Sequence, residues 1–261
     1  MRDFGPRDAP VVVLLHGWTA TADTNWFRCY EALGADHRVI AFDHRGHGSG
    51  VRSRSRFRLE DCADDVVAVA DALGVDRFVP VGYSMGGTIA QLVWHRHRER
   101  VEGLVLGATA ARFSSSRAEK WGFVGLTGLA ALARVTPSTA REWLIDQVYL
   151  NRKVGQWEPW AVQEAGTNDW RMLLEAGRAI GDFSSVEWAS EIDVPVAQIV
   201  TMRDHVVSRR RQIRLFELLD DVEAFRIDGD HDAVIVQPDQ FVPTLLRAVV
   251  SVRRRTGTVA P

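Results

Sequence analysis

The sequence predicts an α/β protein built on a mainly parallel sheet with helices on both faces. Short β-prone runs alternate along the chain with longer segments of helical periodicity, the order expected of repeated strand–helix–strand units. The first run, Val11–Leu15, is apolar throughout, as expected for a strand that is buried on both faces. The predicted strands cover residues 11–15, 38–42, 78–81, 101–106, 196–200 and 222–227.

The segments between these strands predict the helices. Residues 59–73 place Val66, Val67 and Leu73 on one apolar face, and Gly74 follows where the helix is expected to stop. Residues 88–94 show a similar apolar stripe soon after the third strand. Further helices are predicted over residues 25–33, about 209–219 and 238 to about 252.

The alternation of strands and helices stops between about residues 112 and 190. This segment contains no β-type run, and a structureless loop of its length is implausible in a compact domain. We therefore expect a core of residues 1–111 and 191–261, with residues 112–190 forming an inserted helical cap. Most tryptophans of the segment are expected to pack between cap helices, and one or two to line a pocket for an apolar group. They are Trp121, Trp143, Trp157, Trp160, Trp170 and Trp188.

Composition and charge exclude several classes of protein. The chain has 261 residues, 46% of them hydrophobic, so it can bury a core without disulfides. The net charge is −2 with both signs interspersed, which gives no basis for binding nucleic acid or a membrane surface. No run is long enough to span a bilayer, and residues 1–10 lack the apolar core of a signal peptide. Cys29 and Cys62 indicate reduced thiols, so a cytoplasmic protein is expected, of an oligomeric state that the sequence leaves open.

The turn after the third predicted strand carries the pattern G-x-S-x-G, as Gly82-Tyr83-Ser84-Met85-Gly86. A strand that turns abruptly into a helix at a serine strains that serine and exposes its hydroxyl. Gly82 and Gly86 leave room where the turn would otherwise crowd the strand against the helix. The strand before the pattern and the helix after it indicate that Ser84 is a catalytic nucleophile, the alternative being a glycine-rich structural turn.

A serine nucleophile needs a base within hydrogen-bonding reach, and the base needs an orienting carboxylate. Asp204 lies just past the fifth predicted strand, and His231 lies just past the sixth. Because the carboxyl ends of parallel strands share one crevice, Ser84, Asp204 and His231 are expected to meet there. An acidic residue in the same loop as the histidine base is expected to point away from that histidine. The alternatives are Asp193, Asp228, Asp230 and Asp232 for the acid, and His205, His16 and His44 for the base.

Five blocks of the sequence together resemble the α/β-hydrolase superfamily, in particular its capped serine esterase/lipase-like branch. The resemblance covers nearly the whole chain and includes the chain order Ser, Asp, His. It implies an α/β-hydrolase fold, with an oxyanion hole formed by the backbone N–H groups of Trp18 and Met85. The blocks are His16-Gly17-Trp18, residues 43–49, the turn at Ser84, Asp204 and His231.

Residues 43–49 are polar and glycine-rich, with the sequence Asp-His-Arg-Gly-His-Gly-Ser. They do not form a phosphate-binding P-loop, because the lysine after the second glycine is missing. His44 and His47 are three residues apart, but without a further ligand in the loop they are weak evidence for zinc. The resemblance implies that this block is a structural turn at a strand end and that His16 is structural. We therefore expect neither a metal nor a cofactor.

The start of the chain departs from the family pattern. Family members usually have a β-hairpin and more residues ahead of the His-Gly block, whereas fifteen residues precede His16 here. We expect one edge strand around residues 1–4 and the absence of the outermost strand. This difference is expected to have little effect on the active-site edge of the sheet.

The leading hypothesis is a serine hydrolase that cleaves carboxylic esters of small to medium apolar acyl or alcohol groups through an acyl-enzyme intermediate. Dehalogenases and epoxide hydrolases of the family carry aspartate at the nucleophile position, so Ser84 argues against both. Carbon–carbon bond hydrolases are the second hypothesis, although they usually have a Gly/Pro-rich stretch after the His-Gly block. Cofactor-free haloperoxidases or perhydrolases commonly have proline where Thr19 stands. A non-catalytic ligand receptor of this fold is a further alternative, and lactones and amides remain open as substrates.

Overall fold

The computed structural model of the chain describes residues 1–114 and 167–257, together with residues 116, 119, 122, 125, 160 and 164. Its strands are β1 (Arg2–Phe4), β2 (Val11–Leu15), β3 (Arg38–Ala41), β4 (Val79–Tyr83), β5 (Leu104–Gly107), β6 (Val196–Thr201) and β7 (Val222–Ile227). They form a seven-stranded sheet in the order β1-β3-β2-β4-β5-β6-β7. β1 pairs antiparallel with β3, and the other neighbours pair in parallel. The predicted mainly parallel α/β sheet is confirmed.

Because β4, β5, β6 and β7 pair in parallel, their carboxyl ends lie at one edge of the sheet. Tyr83 at the end of β4 pairs with Gly107 at the end of β5. Thr201 at the end of β6 pairs with Ile227 at the end of β7. The loops after these strands therefore emerge on the same side, and Ser84 is the first residue after β4.

β1 is the edge strand expected around residues 1–4. Its Asp3 accepts hydrogen bonds from the Arg38 guanidinium of β3, at 2.9 and 3.0 Å. The hydrogen bonds from Arg38, together with a contact to Arg7, lower the pKa of Asp3 to about 2, although burial acts against them. A charge-assisted pair thus joins the antiparallel edge strand to the rest of the sheet.

Helices cover both faces of the sheet, as predicted. The described α-helices are α1 (Ala22–Trp26), α2 (Tyr30–Gly34), α3 (Leu59–Ala72), α4 (Met85–Arg96), α5 (Trp170–Asp182), α6 (Arg209–Phe216), α7 (Ala233–Val236) and α8 (Pro238–Arg255). Apolar residues of α3, α4 and α5 form one core cluster, and those of α1, α2 and α8 belong to a second. No helix in the described part of the chain has both the length and the apolar character needed to cross a membrane.

The single helix predicted over residues 25–33 is wrong, because two short helices, α1 and α2, occupy this region. The first begins earlier than expected, since Thr21 caps it and accepts a hydrogen bond from the Thr24 N–H at 3.1 Å. It ends at Trp26, whose carbonyl accepts from the Cys29 N–H at 2.8 Å in a tight turn. Apolar periodicity alone does not identify this capping residue, because Thr21 is polar.

Most of the predicted cap, residues 112–190, lies outside the described residues. Of its described part, α5 packs in the core cluster with α3 and α4. The Trp188 ring stacks on His95 with a centroid distance of 4.3 Å, and Trp160 meets the Phe27 ring edge-on at 5.0 Å. Trp170 is the first residue of α5. Trp121, Trp143 and Trp157 lie outside the described residues.

Candidate active site

Ser84 occupies a strained turn between β4 and α4. Its backbone dihedrals are φ 54° and ψ −116°, a combination outside the regions that residues with a side chain normally populate. Two hydrogen bonds stabilise this strained backbone. The Ser84 N–H donates to Gly107 O at 2.9 Å, and Thr109 Oγ1 donates to Ser84 O at 2.8 Å. The serine is 8% exposed. The turn thus presents the hydroxyl at the carboxyl end of the sheet.

The glycines of the turn allow its close backbone approaches. A methyl group at Gly82 would collide with the Gly86 carbonyl, and one at Gly86 would collide with the Leu15 carbonyl of β2. A methyl group at Gly87 would collide with the Thr109 side chain. The sequence pattern predicts crowding between strand and helix. In the structure, neighbouring backbone atoms occupy the space where Gly82 and Gly86 would carry a side chain.

Ser84, His231 and Asp204 form a continuous hydrogen-bonded row, which we call the Ser84–His231–Asp204 row. The Ser84 hydroxyl donates to His231 Nε2 at 2.9 Å. His231 Nδ1–H donates to Asp204 Oδ2 at 2.8 Å. A carboxylate only accepts hydrogen bonds, so this contact assigns the proton to Nδ1 and leaves Nε2 free to accept. The row has the polarity that lets the imidazole remove the serine proton.

The Asp204 carboxylate is fully buried, and each of its oxygens has several donors. Oδ2 also accepts from Thr201 Oγ1 at 2.7 Å and from Gln212 Nε2 at 3.3 Å. Oδ1 accepts from the N–H groups of Val206 and Val207 at 2.8 and 2.7 Å. The side chain is 0% exposed, and a buried charge is tolerated when it is hydrogen-bonded in this way.

Among the described contacts, the His231 ring is hydrogen-bonded by Asp204 and by none of the alternative acids. Asp230 binds the His205 ring at 2.9 Å and accepts from the N–H groups of His205 and His231. Partial burial raises the pKa of Asp230, but these hydrogen bonds outweigh it and hold the pKa below its ordinary value. Asp228 pairs with Arg203 at 2.9 Å, and Asp193 accepts from Trp94 Nε1. Asp232 precedes α7.

The alternative bases are placed differently from His231. The His205 side chain is 83% exposed and pairs with Asp230. His16 and His44 are buried in the fold with His47, and their rings contact one another. In the described part of the chain, His231 is the histidine that hydrogen-bonds Ser84.

The loop after β2 lies directly beside Ser84. A methyl group at Gly17 would be 3.4 Å from Ser84 Cβ and 3.4 Å from Asn25 Oδ1. The next residue, Trp18, has an indole Nε1–H that donates to Leu173 O of α5 at 2.8 Å. On the other side of Ser84, Met85 begins α4, so its N–H has no carbonyl one helical turn earlier. These are the two residues whose N–H groups are predicted to form the oxyanion hole.

A cavity of about 210 Å³ opens beside Ser84. It runs between the loop after β2, the Ser84 turn, the loop after β6 and the loop that carries His231. Its walls combine apolar side chains with a few polar groups, as in small-molecule sites. The lining residues are Gly17, Trp18, Thr19, Ala20, Asn25, Tyr83, Ser84, His205, Val206, Asp230, His231, Asp232, Val234 and Ile235.

The block at residues 43–49 uses its polar groups within the fold. The Asp43 carboxylate accepts from the N–H groups of Ala22 and Ser49, both at 2.8 Å. The Gly48 N–H donates to Asn168 Oδ1 at 2.8 Å. Arg45 pairs with Asp65 of α3 at 2.6 Å. The block therefore joins α1, α3 and the segment before α5.

His16, His44 and His47 form a buried histidine cluster at the base of this block. The His16 ring lies 4.3 Å from His44 and 5.1 Å from His47, between ring centroids. His16 Nδ1–H donates to Gly17 O at 2.8 Å, and Nε2 accepts from the His44 N–H at 2.9 Å. Burial lowers the pKa of His16 to about 4 and of His47 to about 3, and holds that of His44 well below its ordinary value. Across the described ranges, no three metal-ligating side chains are arranged to hold an ion.

We expect this cluster to make the protein less stable as the pH falls from 7.0 to 5.5. Each histidine has a folded-state pKa below its unfolded value, so the unfolded chain binds more protons in this window. The free energy of unfolding should fall by about 1 kcal/mol for each of the three groups. Urea unfolding at both pH values measures the change. His47→Gln should remove about a third of it.

Three polar residues at the site were not predicted from the sequence. Thr201 and Gln212 bind the Asp204 carboxylate, and Asn25 binds the Gly17 N–H at 2.9 Å. Gln212 lies in the arginine-rich helix α6, where its neighbours suggest only an exposed face. Each forms a hydrogen bond with a site residue. The number of residues along the chain between such partners is not fixed.

Residues 10–141 match the family described as the alpha/beta hydrolase fold. This range takes in more than half of the 261 residues. The chain belongs to the α/β-hydrolase family, as the resemblance of its motifs implied. The fold and these motifs define a hydrolase of that family.

Relatives with assigned activities support the same class. The chain is 26% identical over 264 residues to 3-oxoadipate enol-lactonase 1 of Acinetobacter baylyi, which covers 95% of this chain and 92% of that enzyme. It is 42% identical over 86 residues to a bifunctional esterase/perhydrolase of Acinetobacter calcoaceticus, over 33% of this chain and 31% of that enzyme. The structure of an enol-lactonase of Burkholderia xenovorans superposes with a TM-score of 0.79 at 23% identity, over 95% of both chains. This last likeness shows the shared fold.

Proposed function

We propose that this protein is a serine hydrolase that cleaves carboxylic esters of small to medium apolar acyl or alcohol groups. The observation that carries the proposal is the Ser84–His231–Asp204 row, with Ser84 Oγ at 2.9 Å from His231 Nε2. A serine is a useful nucleophile at neutral pH only with such a base, and the buried Asp204 carboxylate orients that base. The relatives named as an esterase/perhydrolase and an enol-lactonase act on bonds of related chemistry.

The proposed reaction has two acyl-transfer steps. His231 Nε2 takes the Ser84 proton as Oγ attacks the ester carbonyl, and Asp204 stabilises the resulting imidazolium. The N–H groups of Trp18 and Met85 stabilise the oxyanion, and each such donor contributes about 3 kcal/mol to the transition state. His231 returns its proton to the departing alcohol, which leaves an acyl group on Ser84. Water, losing a proton to His231, then attacks this acyl-enzyme, and His231 returns that proton to Ser84 Oγ as the acid leaves.

We also propose that residues 112–190 form a cap over the cavity and set the substrate range. The described ends of this segment support that position. Asn168, in the described second part of this segment, donates to Thr19 O at 3.3 Å in the loop beside Ser84. The next residue, Asp169, has an N–H that donates to Gly46 O at 2.8 Å. Both contacts lie at the same edge of the sheet as the cavity.

The proposed function is tested by labelling and by substrate preference on the intact protein. A fluorophosphonate should label Ser84 at one equivalent, identified by peptide mapping, because the probe reacts with a serine that a histidine activates. In p-nitrophenyl esters of increasing chain length, kcat/KM should be highest for short to medium acyl chains. A γ-lactone and a chromophoric dienoate complete the substrate panel.

The outcomes separate the competing functions. No labelling together with no turnover would contradict the proposal and favour a ligand receptor. A higher kcat/KM on the dienoate than on every ester would assign the protein to carbon–carbon bond hydrolysis. A higher kcat/KM on the lactone would keep the same mechanism and change the substrate to a cyclic ester.

A further inference from the structure

Asn25 is a polar residue of α1 in the wall of the Ser84 cavity. It is 3% exposed, and its Oδ1 accepts a hydrogen bond from the Gly17 N–H at 2.9 Å. Because an N–H can bond only to the oxygen of the amide, this contact fixes which way the side chain is turned. The Nδ2 group therefore lies on the side of the amide away from Gly17.

The Nδ2 donor of Asn25 is buried and has no hydrogen-bond acceptor among the described residues. Native proteins rarely leave such a donor unpaired, so a buried unpaired donor next to a cavity points to a ligand. Other buried side-chain donors of the described structure also lack acceptors, among them Trp26 Nε1, which packs against Tyr83 and Phe241. Of the residues with such orphaned atoms, Asn25 is the one that lines the Ser84 cavity.

Asn25 is also close to the proposed reacting serine. Gly17 lies between them, and a methyl group placed on it would be 3.4 Å from Asn25 Oδ1 and 3.4 Å from Ser84 Cβ. The Asn25 amide is therefore close to the serine that would attack a bound ester. The cavity's neighbouring carboxylates, Asp230 and Asp232, offer no donor when ionised.

We propose that Asn25 Nδ2 donates a hydrogen bond to a second oxygen of the substrate, outside the scissile carboxyl group. This inference rests on the proposed ester hydrolysis and names the substrate class within it. Val206, Val234 and Ile235 make other parts of the cavity wall apolar. A donor held in a fixed position in the cavity wall selects substrates by orientation. The preferred esters carry an ether, keto or hydroxyl oxygen on their acyl or alcohol part.

Two pairs of isosteric esters test this selection, one for each side of the scissile bond. p-Nitrophenyl methoxyacetate differs from the butyrate by one oxygen in place of a methylene in the acyl chain. 2-Methoxyethyl butyrate differs from butyl butyrate in the same way in the alcohol. The quantity measured is the ratio of kcat/KM for the oxygen-bearing ester to that for its all-carbon partner, at pH 8. Differences in intrinsic reactivity cancel when this ratio is compared between variants.

The variants separate the donor of Asn25 from its bond to Gly17. Asn25→Asp keeps an acceptor for the Gly17 N–H and loses the donor, whereas Asn25→Leu loses both. In both variants the ratio for at least one pair should fall about fivefold or more, the effect of one lost hydrogen bond to a substrate. Ile235→Ala, on the same cavity wall, changes apolar contact only and should leave both ratios within about twofold of the wild type. Fluorophosphonate labelling of Ser84 checks that each variant is folded.

Ratios that stay within about twofold of the wild type in both Asn25 variants, with all esters still hydrolysed, would overturn this inference and leave the proposed function intact. A fall in the ratio in Asn25→Leu alone would also overturn it, because that pattern assigns the effect to the placement of Gly17. If the wild-type protein hydrolysed none of the four esters, the proposed function would fail and this inference with it.

Discussion

Replacement of Ser84 by alanine is expected to lower kcat for p-nitrophenyl acetate by about 10³-fold or more. The variant keeps the strained backbone and the cavity, but it has no hydroxyl to donate to His231 Nε2, at 2.9 Å in the wild type. The acyl-enzyme can then not form, and only residual turnover from substrate binding and the oxyanion donors remains. Steady-state kinetics and fluorophosphonate labelling measure the two losses on the same preparation.

Ser55→Ala is the matched control for Ser84→Ala. Ser55 is exposed, and its carbonyl, not its hydroxyl, accepts a hydrogen bond from Arg171. Its loss should leave kcat and labelling within about twofold of the wild type. Turnover by Ser84→Ala at the wild-type rate would contradict the covalent mechanism, even if the protein hydrolysed esters by a different mechanism.

Asp204→Asn is expected to lower kcat by about 10³- to 10⁴-fold while KM changes little. The arrangement of donors around Asp204 gives the reason. The N–H groups of Val206 and Val207 meet Oδ1, so the amide oxygen of asparagine should occupy that position. Its NH₂ group then replaces Oδ2 and faces His231 Nδ1, which must become an acceptor. The ring proton moves to Nε2, where it faces Ser84, and the imidazole can no longer act as the base.

Asp228→Asn provides the comparison for this variant. The Asp228 side chain is 71% exposed and pairs with Arg203 outside the Ser84–His231–Asp204 row, so kcat should stay within about twofold of the wild type. Asp230 is the strongest alternative acid, because it accepts from the His231 backbone. If Asp230→Asn lost more than a hundredfold in kcat and Asp204→Asn less than tenfold, the orienting carboxylate would be Asp230.

The strands of the core and their mainly parallel pairing were predictable because they depend on local periodicity and on general rules of packing. The apolar run at Val11–Leu15 can satisfy its backbone and bury both faces only inside a sheet. The same reasoning located Ser84, Asp204 and His231, since residues that follow parallel strands emerge at one edge whatever their separation along the chain. The error at residues 25–33 arose where a capping hydrogen bond accepted by Thr21 outweighed apolar spacing.

By itself, the sequence determined the fold family and the residues expected at the strand ends, because strand periodicity and the Ser84 turn are local patterns. Only the tertiary structure decided which polar side chains support them. Gln212 reaches Asp204 from α6, and Asn25 reaches Gly17 from α1, through contacts between elements whose relative placement no local pattern encodes. Three-dimensional packing likewise left the Asn25 Nδ2 buried beside the cavity without an acceptor among the described residues. Whether a hydrogen bond forms depends on differences in distance of a few tenths of an ångström. Packing in three dimensions sets these distances, and the spacing of residues along the chain does not.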